Sequence, residues 1–401
     1  MNDRQHSASR HSLTRLALHL SKTTSKTTAT AKTLSPEDFT AYIKDPRFNR
    51  TFKLPADPSR GRHKPFQVSY ADFGFHREDA SDDDGEEQVL LFFGPLMSSR
   101  LFHAAKDGLA KRYKVRIVNA ERPGIGKTDS VPAERLLEVW REAIPALLNH
   151  LGIKHVSIGC HSGGTVFGLD FAVHYPQFLH PSRPYIAIAG PWVHPSQSGM
   201  LIWSLASSLP RSLIAQTDKM ATFVNSTLGP ALGVIAAVSG SVMQLWAQAK
   251  PTGREGPDVD LEEGMRDRVA ESVFTGNVRG LGQETQVLLR NGVEKDGWSD
   301  WGDFDVLAPR LAEAVRGVGE ARLKVDVFFA EKDNMIGDAG TKGNRWFEAC
   351  WRDVDGVEFA SETVKGSDHD RVWDLRWDVM ERVFKTMARE ARDGGERGMC
   401  L

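Results

Sequence analysis

The chain has 401 residues, of which 40% are hydrophobic and 26% are charged, and its formal net charge is −2. This composition is typical of a globular protein, and a net charge so close to zero argues against nucleic acid as a partner. The cysteines Cys160, Cys350 and Cys400 are too few and too scattered for a disulfide framework or a zinc site, which favours a reducing compartment.

Residues 1–34 are rich in Ser, Thr, Lys and Arg, and Asp3 is their only acidic residue. Such a composition is typical of a disordered tail. Because Leu13, Leu16 and Leu20 are spaced for one helical face, an amphipathic mitochondrial transit peptide is the alternative. We therefore predict a cytoplasmic protein, with the mitochondrion as the second hypothesis.

Apolar runs alternate with helical patterns in the first half of the chain. The runs predict strands at 66–75, 89–93, 115–118, 156–160 and 186–190, and the helical patterns predict helices at 100–113, 132–151 and 164–175. Strands that alternate with helices pair in parallel, so this part of the chain predicts a doubly wound sheet.

The alternation breaks after residue 190 and returns only at a predicted strand at 325–330, followed by a strand at 357–360 and a helix at 373–392. We therefore predict a core made of residues 35–191 and 311–392, a helical lid at 192–310 and a loose tail at 393–401. The most apolar stretch, 228–246, contains Gly, Pro, Ser and Gln, and we predict a lid helix there rather than a transmembrane span.

Ser162 lies in a turn of small residues between a predicted strand and a predicted helix, which is the layout of a nucleophile elbow. The residues two before and two after the serine, Cys160 and Gly164, must be small because the two backbones close on them. The N–H of Gly163 falls at a helix N-terminus, where it would stabilise developing negative charge. His161 is predicted to point its side chain away from the serine.

A nucleophilic serine needs a base and an acid that orients the base. Asp333 and His369 each follow a predicted strand, and the chain order Ser162, Asp333, His369 is the order that this architecture requires. Other acids remain as weaker alternatives for the orienting role, namely Glu331, Asp303 and Asp305.

The second oxyanion donor is expected in the turn after residue 93, where the sequence is unfavourable. Pro95 occupies the natural donor position and has no N–H, so Leu96 is the predicted donor in a turn shifted by one residue. Loss of one donor costs on the order of 10²–10³ in rate. The proline therefore keeps a non-catalytic protein open as a second hypothesis. No phosphate-binding or metal-ligand pattern is found, and no cofactor is predicted.

Taken together, these motifs resemble the α/β-hydrolase-fold serine hydrolases, in the proline-iminopeptidase-like and esterase-like branch that has a helical lid. Residues 93–99 are similar to the oxyanion turn of that family, and residues 121–129 are similar to its Asp-x-Pro-Gly-x-Gly-x-Ser turn. The resemblance covers about residues 65–390. It implies a mostly parallel, doubly wound sheet with a helical cap inserted between the sixth and seventh strands.

The resemblance also implies a reaction, in which Ser162 attacks a carbonyl, His369 relays the proton and Asp333 holds the imidazole tautomer. Gly163 and Leu96 would form the oxyanion hole. The expected partner is a moderately hydrophobic small molecule with an ester or related acyl bond, because the predicted lid is apolar. An acyltransferase that uses the same triad and a non-catalytic binding protein are the alternatives.

Overall fold

A computed structural model describes residues 36–77, 87–199, 253–289, 302–333, 335–337 and 340–398. The predicted tail at 1–34, the apolar stretch at 228–246 and the rest of residues 200–252 and 290–301 lie outside the described residues. So do residues 399–401 of the predicted loose tail at 393–401, whereas residues 393–398 belong to the last helix, Val379–Gly398. No helix in the described part of the chain is both long enough and apolar enough to cross a bilayer.

Eight strands form one sheet. They are β1 (Arg50–Leu54), β2 (Phe66–Gly74), β3 (Gln88–Phe93), β4 (Val115–Ala120), β5 (Ser157–Ser162), β6 (Tyr185–Pro191), β7 (Leu323–Lys332) and β8 (Val357–Asp368). Their spatial order is β1-β2-β4-β3-β5-β6-β7-β8, and only the pairs β1–β2 and β2–β4 are antiparallel. The predicted mostly parallel, doubly wound sheet is therefore confirmed.

Helices cover both faces of the sheet. They are α1 (Pro36–Ile43), α2 (Asp107–Arg112), α3 (Ala133–His150), α4 (Gly164–His174), α5 (Pro195–Ser198), α6 (Pro257–Thr275), α7 (Gly280–Leu288), α8 (Phe304–Arg316), α9 (Asn344–Trp351) and α10 (Val379–Gly398). Alternate residues of β3 enter two separate cores: Leu91 packs with α3, α4, α8 and α9, and Leu90 packs with α2, α6 and α10. This two-sided burial explains why the central strands are continuous apolar runs.

The described residues between β6 and β7 form helices α5 to α8. Helix α8 packs on α4 and α9, and it spans residue 310, where the sequence placed the end of the lid. Helix α6 packs against α1 and contributes to the core on the α10 side of the sheet. The lid at 192–310 stays a prediction, because much of that range lies outside the described residues.

The last strand is longer than the sequence predicts. Strand β8 pairs with β7 from Val357 to Asp368 and reaches the residue before His369. It is the edge strand of the sheet, and most of its residues from 358 to 363 are exposed. An edge strand needs no continuous apolar run, so the polar residues after 360 hid its true length.

Helix α4 packs directly against β5, and a glycine makes this approach possible. A Cβ atom at Gly168 would lie 2.4 Å from the sulfur of Cys160. The absence of that Cβ atom lets a cysteine replace the glycine that is usual two residues before the serine. Cys160 is fully buried, which raises the pKa of its thiol, so it packs as a small apolar side chain.

We expect Gly168→Ala to lower the free energy of unfolding by about 1–3 kcal/mol, because the added methyl group would overlap the sulfur of Cys160 in a packed interior. Combining it with Cys160→Ala should recover much of the loss, since the overlapping atom is then absent. Urea unfolding of both single variants and the double variant measures the coupling between the two positions.

Gly108→Ala in α2 is the matched control. A Cβ atom there would have one neighbour within 4 Å, the Nη1 atom of Arg112 at 3.8 Å. Alanine is favoured over glycine in a helix by about 1 kcal/mol, so this variant should be no less stable than the parent protein. An unchanged cost of Gly168→Ala in the Cys160→Ala background would show that this packing account is wrong.

Candidate active site

Ser162 ends β5 in a conformation that serine rarely adopts. Its φ is 49°, in the left-handed region, and the pairing of β5 with β6 shifts register between His161 and Ser162. A Cβ atom at Gly164 would lie 2.0 Å from the carbonyl oxygen of Phe93, so the turn must carry a glycine there. Strained residues of this kind cluster at functional sites, where the surrounding structure holds them in place.

The structure brings Ser162, Asp333 and His369 together, although they are distant along the chain. The imidazole Nε2 of His369 lies 2.8 Å from Oγ of Ser162, and its Nδ1 lies 2.8 Å from Oδ2 of Asp333. Because a carboxylate only accepts hydrogen bonds, Nδ1 carries the proton and Nε2 is free to accept from the serine hydroxyl. Ser162 is 5% exposed and His369 is 3% exposed.

Asp333 is held as a carboxylate by its surroundings. Its second oxygen, Oδ1, accepts hydrogen bonds from the N–H groups of Met335, at 2.8 Å, and Ile336, at 3.0 Å. Burial alone would raise the pKa of Asp333, but His369 and these two amides outweigh burial and lower the pKa below its usual value. The acid at this position is therefore ionised and fixed in orientation.

The same pair sets the charge of the imidazole. Burial lowers the pKa of His369, but the adjacent carboxylate of Asp333 outweighs burial, and the net pKa lies above the usual 6.5. An imidazole with these partners takes up a proton more readily than a free imidazole does. This is the behaviour required of a general base.

Two neighbours of His369 were not foreseen from the sequence. The Nε2 atom of His161 lies 2.8 Å from the backbone oxygen of His369, and burial followed by the charge of His369 lowers the pKa of His161 to about 3. His161 is therefore neutral and donates to that oxygen. Gly190 has a φ of 52°, and a Cβ atom there would lie 3.3 Å from Nδ1 of His369. His161 binds the backbone of His369, and Gly190 leaves room for its imidazole ring. No local pattern in the sequence signals either contact.

The predicted oxyanion residues are neighbours in space. A Cβ atom at Gly163 would lie 3.5 Å from the backbone nitrogen of Leu96, so the two amides lie close together beside Ser162. Gly163 is the N-cap residue of α4, where backbone N–H groups lack helical partners. The two residues predicted as oxyanion donors are thus close to each other at the turn that carries Ser162.

The alternative acids occupy other places. Glu331 accepts a hydrogen bond from the N–H of Gly366 at 2.8 Å, and Asp303 and Asp305 lie at the start of α8. The carboxylate that pairs with the His369 imidazole is that of Asp333. In the described part of the chain, no group of three or more His, Cys, Asp or Glu side chains is arranged to hold a metal ion.

Comparison with solved structures identifies the fold. A carboxylesterase from Nitrososphaera gargenis is 15% identical to this chain and aligns over 85% of this chain and 100% of its own, with a TM-score of 0.50. An epoxide hydrolase from Vigna radiata aligns over 85% and 98% at 14% identity and a TM-score of 0.50. A bromoperoxidase from Bacillus anthracis aligns over 84% and 99% at 12% identity and a TM-score of 0.51.

These similarities show that the chain has the α/β-hydrolase fold. No family model and no curated protein matches its sequence. Enzymes of different reaction types share this fold, so the reaction has to be argued from the site itself.

We expect the imidazole of His369 to titrate above pH 6.5 and Asp333→Asn to move the midpoint to lower pH, because the carboxylate stabilises the charged ring. Two-dimensional NMR of protein with labelled histidines measures this titration, and the signal that disappears in His369→Asn assigns it. His161 should stay neutral over the same range.

Glu331→Gln is the control, since it removes a nearby carboxylate that binds the Gly366 amide instead of the imidazole. It should leave the midpoint of His369 unchanged. A midpoint below 6.5 in the parent protein, or equal shifts in the two variants, would contradict the assigned pairing.

Proposed function

We propose that this protein is a serine hydrolase that cleaves an ester or related acyl bond of a moderately hydrophobic small molecule. The observation that carries the proposal is the continuous chain of hydrogen bonds from Ser162 through His369 to Asp333, with 2.8 Å at each step. A hydroxyl, a neutral imidazole and a carboxylate in this order form an activated nucleophile.

In the proposed reaction, Oγ of Ser162 attacks the acyl carbon while its proton passes to Nε2 of His369. The resulting imidazolium is stabilised by Asp333 and gives the proton to the leaving alkoxide as the acyl-enzyme forms. Water then attacks the acyl carbon while His369 takes its proton. The bond from the acyl carbon to Oγ of Ser162 breaks, His369 returns the proton to Oγ, and the carboxylic acid leaves. Only the neutral imidazole can accept the first proton, so the reaction requires a pH above the raised pKa of His369.

The negative charge of the tetrahedral intermediate would be stabilised by the N–H groups of Gly163 and Leu96. These amides lie close together beside the serine, and one of them is at the N-terminus of α4. The proline at position 95 was the main argument for a non-catalytic protein. The placement of the Leu96 amide supports the shifted turn and so favours a catalytic function.

The acyl portion of the substrate would meet an apolar wall. A Cβ atom at Gly163 would lie 2.9 Å from Cδ1 of Leu288, at the end of α7, so this leucine lies over the oxyanion side of the site. Leu288 is buried, as is Val287 beside it. Apolar walls with few polar groups are typical of sites for small hydrophobic molecules.

A fluorophosphonate probe tests the nucleophile directly. We expect it to label Ser162, with loss of fluoride, and the parent protein to hydrolyse p-nitrophenyl esters, because the hydroxyl is already bonded to its base. Mass spectrometry locates the label. Ser162→Ala should abolish both signals, and Ser130→Ala, at an exposed serine, should preserve them. A folded protein that takes no label and hydrolyses no ester would refute catalysis. If new esters form when alcohols are added, the activity is acyl transfer instead.

We expect Leu288→Ala to shift the substrate preference toward longer acyl chains, because it removes bulk next to Gly163. Differences of this size in an apolar pocket change relative kcat/KM by about 10-fold or more. The ratio of kcat/KM for p-nitrophenyl octanoate to that for the acetate measures the shift. Val287→Ala is the control, because it truncates the neighbouring buried side chain of the same helix, and it should leave the ratio unchanged. Equal ratios in the parent protein and both variants would contradict the placement of Leu288 beside the acyl chain.

A further inference from the structure

Helix α7 carries a buried carboxylate that reaches the turn after β3. Glu284 is 0% exposed and pairs with Arg122, which is 1% exposed. The Nε atom of Arg122 donates to Oε1 of Glu284 at 2.6 Å, and Nη2 donates to Oε2 at 3.1 Å. The guanidinium also lies over the ring of Phe167, 4.6 Å from its centre. A two-pronged pair of this kind fixes the orientation of both groups.

The pair has further partners, and all of them belong to the turn that contains Leu96. Arg122 donates from Nη1 to the carbonyl oxygen of Gly94 at 2.8 Å and from Nη2 to the carbonyl oxygen of Pro95. Glu284 accepts from the N–H of Met97 at 3.1 Å. The charged pair therefore binds the backbone before and after Leu96, at the carbonyls of Gly94 and Pro95 and at the N–H of Met97.

One peptide unit joins Pro95 to Leu96, and its planar geometry couples the direction of the Pro95 carbonyl to that of the Leu96 N–H. In a planar trans peptide, the carbonyl and the following N–H point in opposite directions. When Arg122 holds the carbonyl of Pro95, the N–H of Leu96 lies in the same plane and points away from Arg122, to the opposite edge of the peptide unit. The backbone nitrogen of Leu96 is also the atom of this turn that would lie closest to a Cβ atom at Gly163, at 3.5 Å. A hydrogen bond at the carbonyl also polarises the peptide and strengthens its N–H as a donor.

Helix α7 is itself anchored to the loop that carries Arg122. The N–H of Gly280 donates to the carbonyl of Gly124 at 2.9 Å, and the N–H of Gly126 donates to the carbonyl of Asn277 at 2.9 Å. A Cβ atom at Gly280 would lie 2.3 Å from a backbone oxygen of that loop, so the two segments touch. Glu284 follows one helical turn later, which gives its carboxylate a defined position.

A second buried ion pair shows what a purely structural contact looks like here. Lys106 pairs with Glu262 of α6, and Glu262 also accepts from the N–H of Leu375. Both charged side chains are buried. In the described part of the chain, neither Lys106 nor Glu262 forms a hydrogen bond with residues 94–97. This ion pair therefore joins α6 to the core without contacting the turn beside the serine.

We propose that Arg122 and Glu284 are positioning residues, which aim the Leu96 N–H at the oxyanion through the carbonyl of Pro95 and the amide of Met97. The proposal rests on the proposed function, because the donor matters only if an oxyanion forms. The positive charge of Arg122 is balanced by Glu284, so the pair acts through geometry. Helix α7 then contributes Glu284 to the positioning of the oxyanion donor, in addition to placing Leu288 beside Gly163.

Two conservative variants separate this role from a structural one. Arg122→Lys keeps a positive charge opposite Glu284 but loses the planar fork that reaches both carbonyls, and Glu284→Gln removes the charged acceptor of the Met97 N–H. We expect each to lower kcat for p-nitrophenyl acetate on the order of 10–100-fold, below the 10²–10³ loss of a deleted donor. KM should change by about threefold at most, and affinity for phenylboronic acid, which forms a tetrahedral serine adduct, should fall in parallel with kcat.

Glu262→Gln is the matched control, since it also removes a buried, ion-paired carboxylate from a helix between β6 and β7. It should lower the thermal midpoint while kcat and boronate affinity stay at the parent values. If one test variant does not fold, the other decides. An active parent protein whose folded variants keep their kcat and boronate affinity would overturn the positioning role and leave the hydrolase standing. A folded parent protein without ester hydrolysis or serine labelling would overturn both.

Discussion

The closure of α4 onto the end of β3 is the contact on which the whole site depends. A side chain at Gly164 would lie 2.0 Å from the carbonyl of Phe93, so the helix starts in direct contact with the strand's last residue. Ser162, two residues before this contact, has a φ of 49°, in the left-handed region. The contact also places the turn that leaves β3 beside Gly163. One close approach thus accompanies the turn that carries the proposed nucleophile and brings the two proposed amide donors near each other.

The other half of the site follows from the order of parallel strands. Ser162 ends β5, Asp333 follows β7 and His369 follows β8, while β6 lies between the first two of these strands. The imidazole must therefore reach across the end of β6. Gly190 stands there with a φ of 52°, and its missing side chain leaves room for the ring. The hydrogen-bonded arrangement of Ser162, His369 and Asp333 thus depends on a small residue of β6, a strand that supplies none of the three.

The parts of the molecule that were predictable from the sequence are those with local signals. Apolar runs locate the central strands, and Ser162, Asp333 and His369 stand out because each follows one of them. Strand β1 and the outer half of β8 lack such runs because they lie at the edges of the sheet. The contact between Arg122 and Glu284 spans 162 positions along the chain, and only the folded structure brings the two residues together.

The turn after β3 shows how a proline can be compatible with the proposed oxyanion hole. Pro95 offers no N–H, yet its carbonyl is bound by Arg122, and the next amide, that of Leu96, is the proposed donor. The shift has a conformational cost, because Met97 has a φ of 60°, and a left-handed residue other than glycine costs about 1–2 kcal/mol. The N–H of that residue donates to the carboxylate of Glu284, and a hydrogen bond to a charged group contributes about 1.5–3 kcal/mol. The hydrogen bond from Met97 to the buried carboxylate is therefore strong enough to offset the conformational cost of this turn.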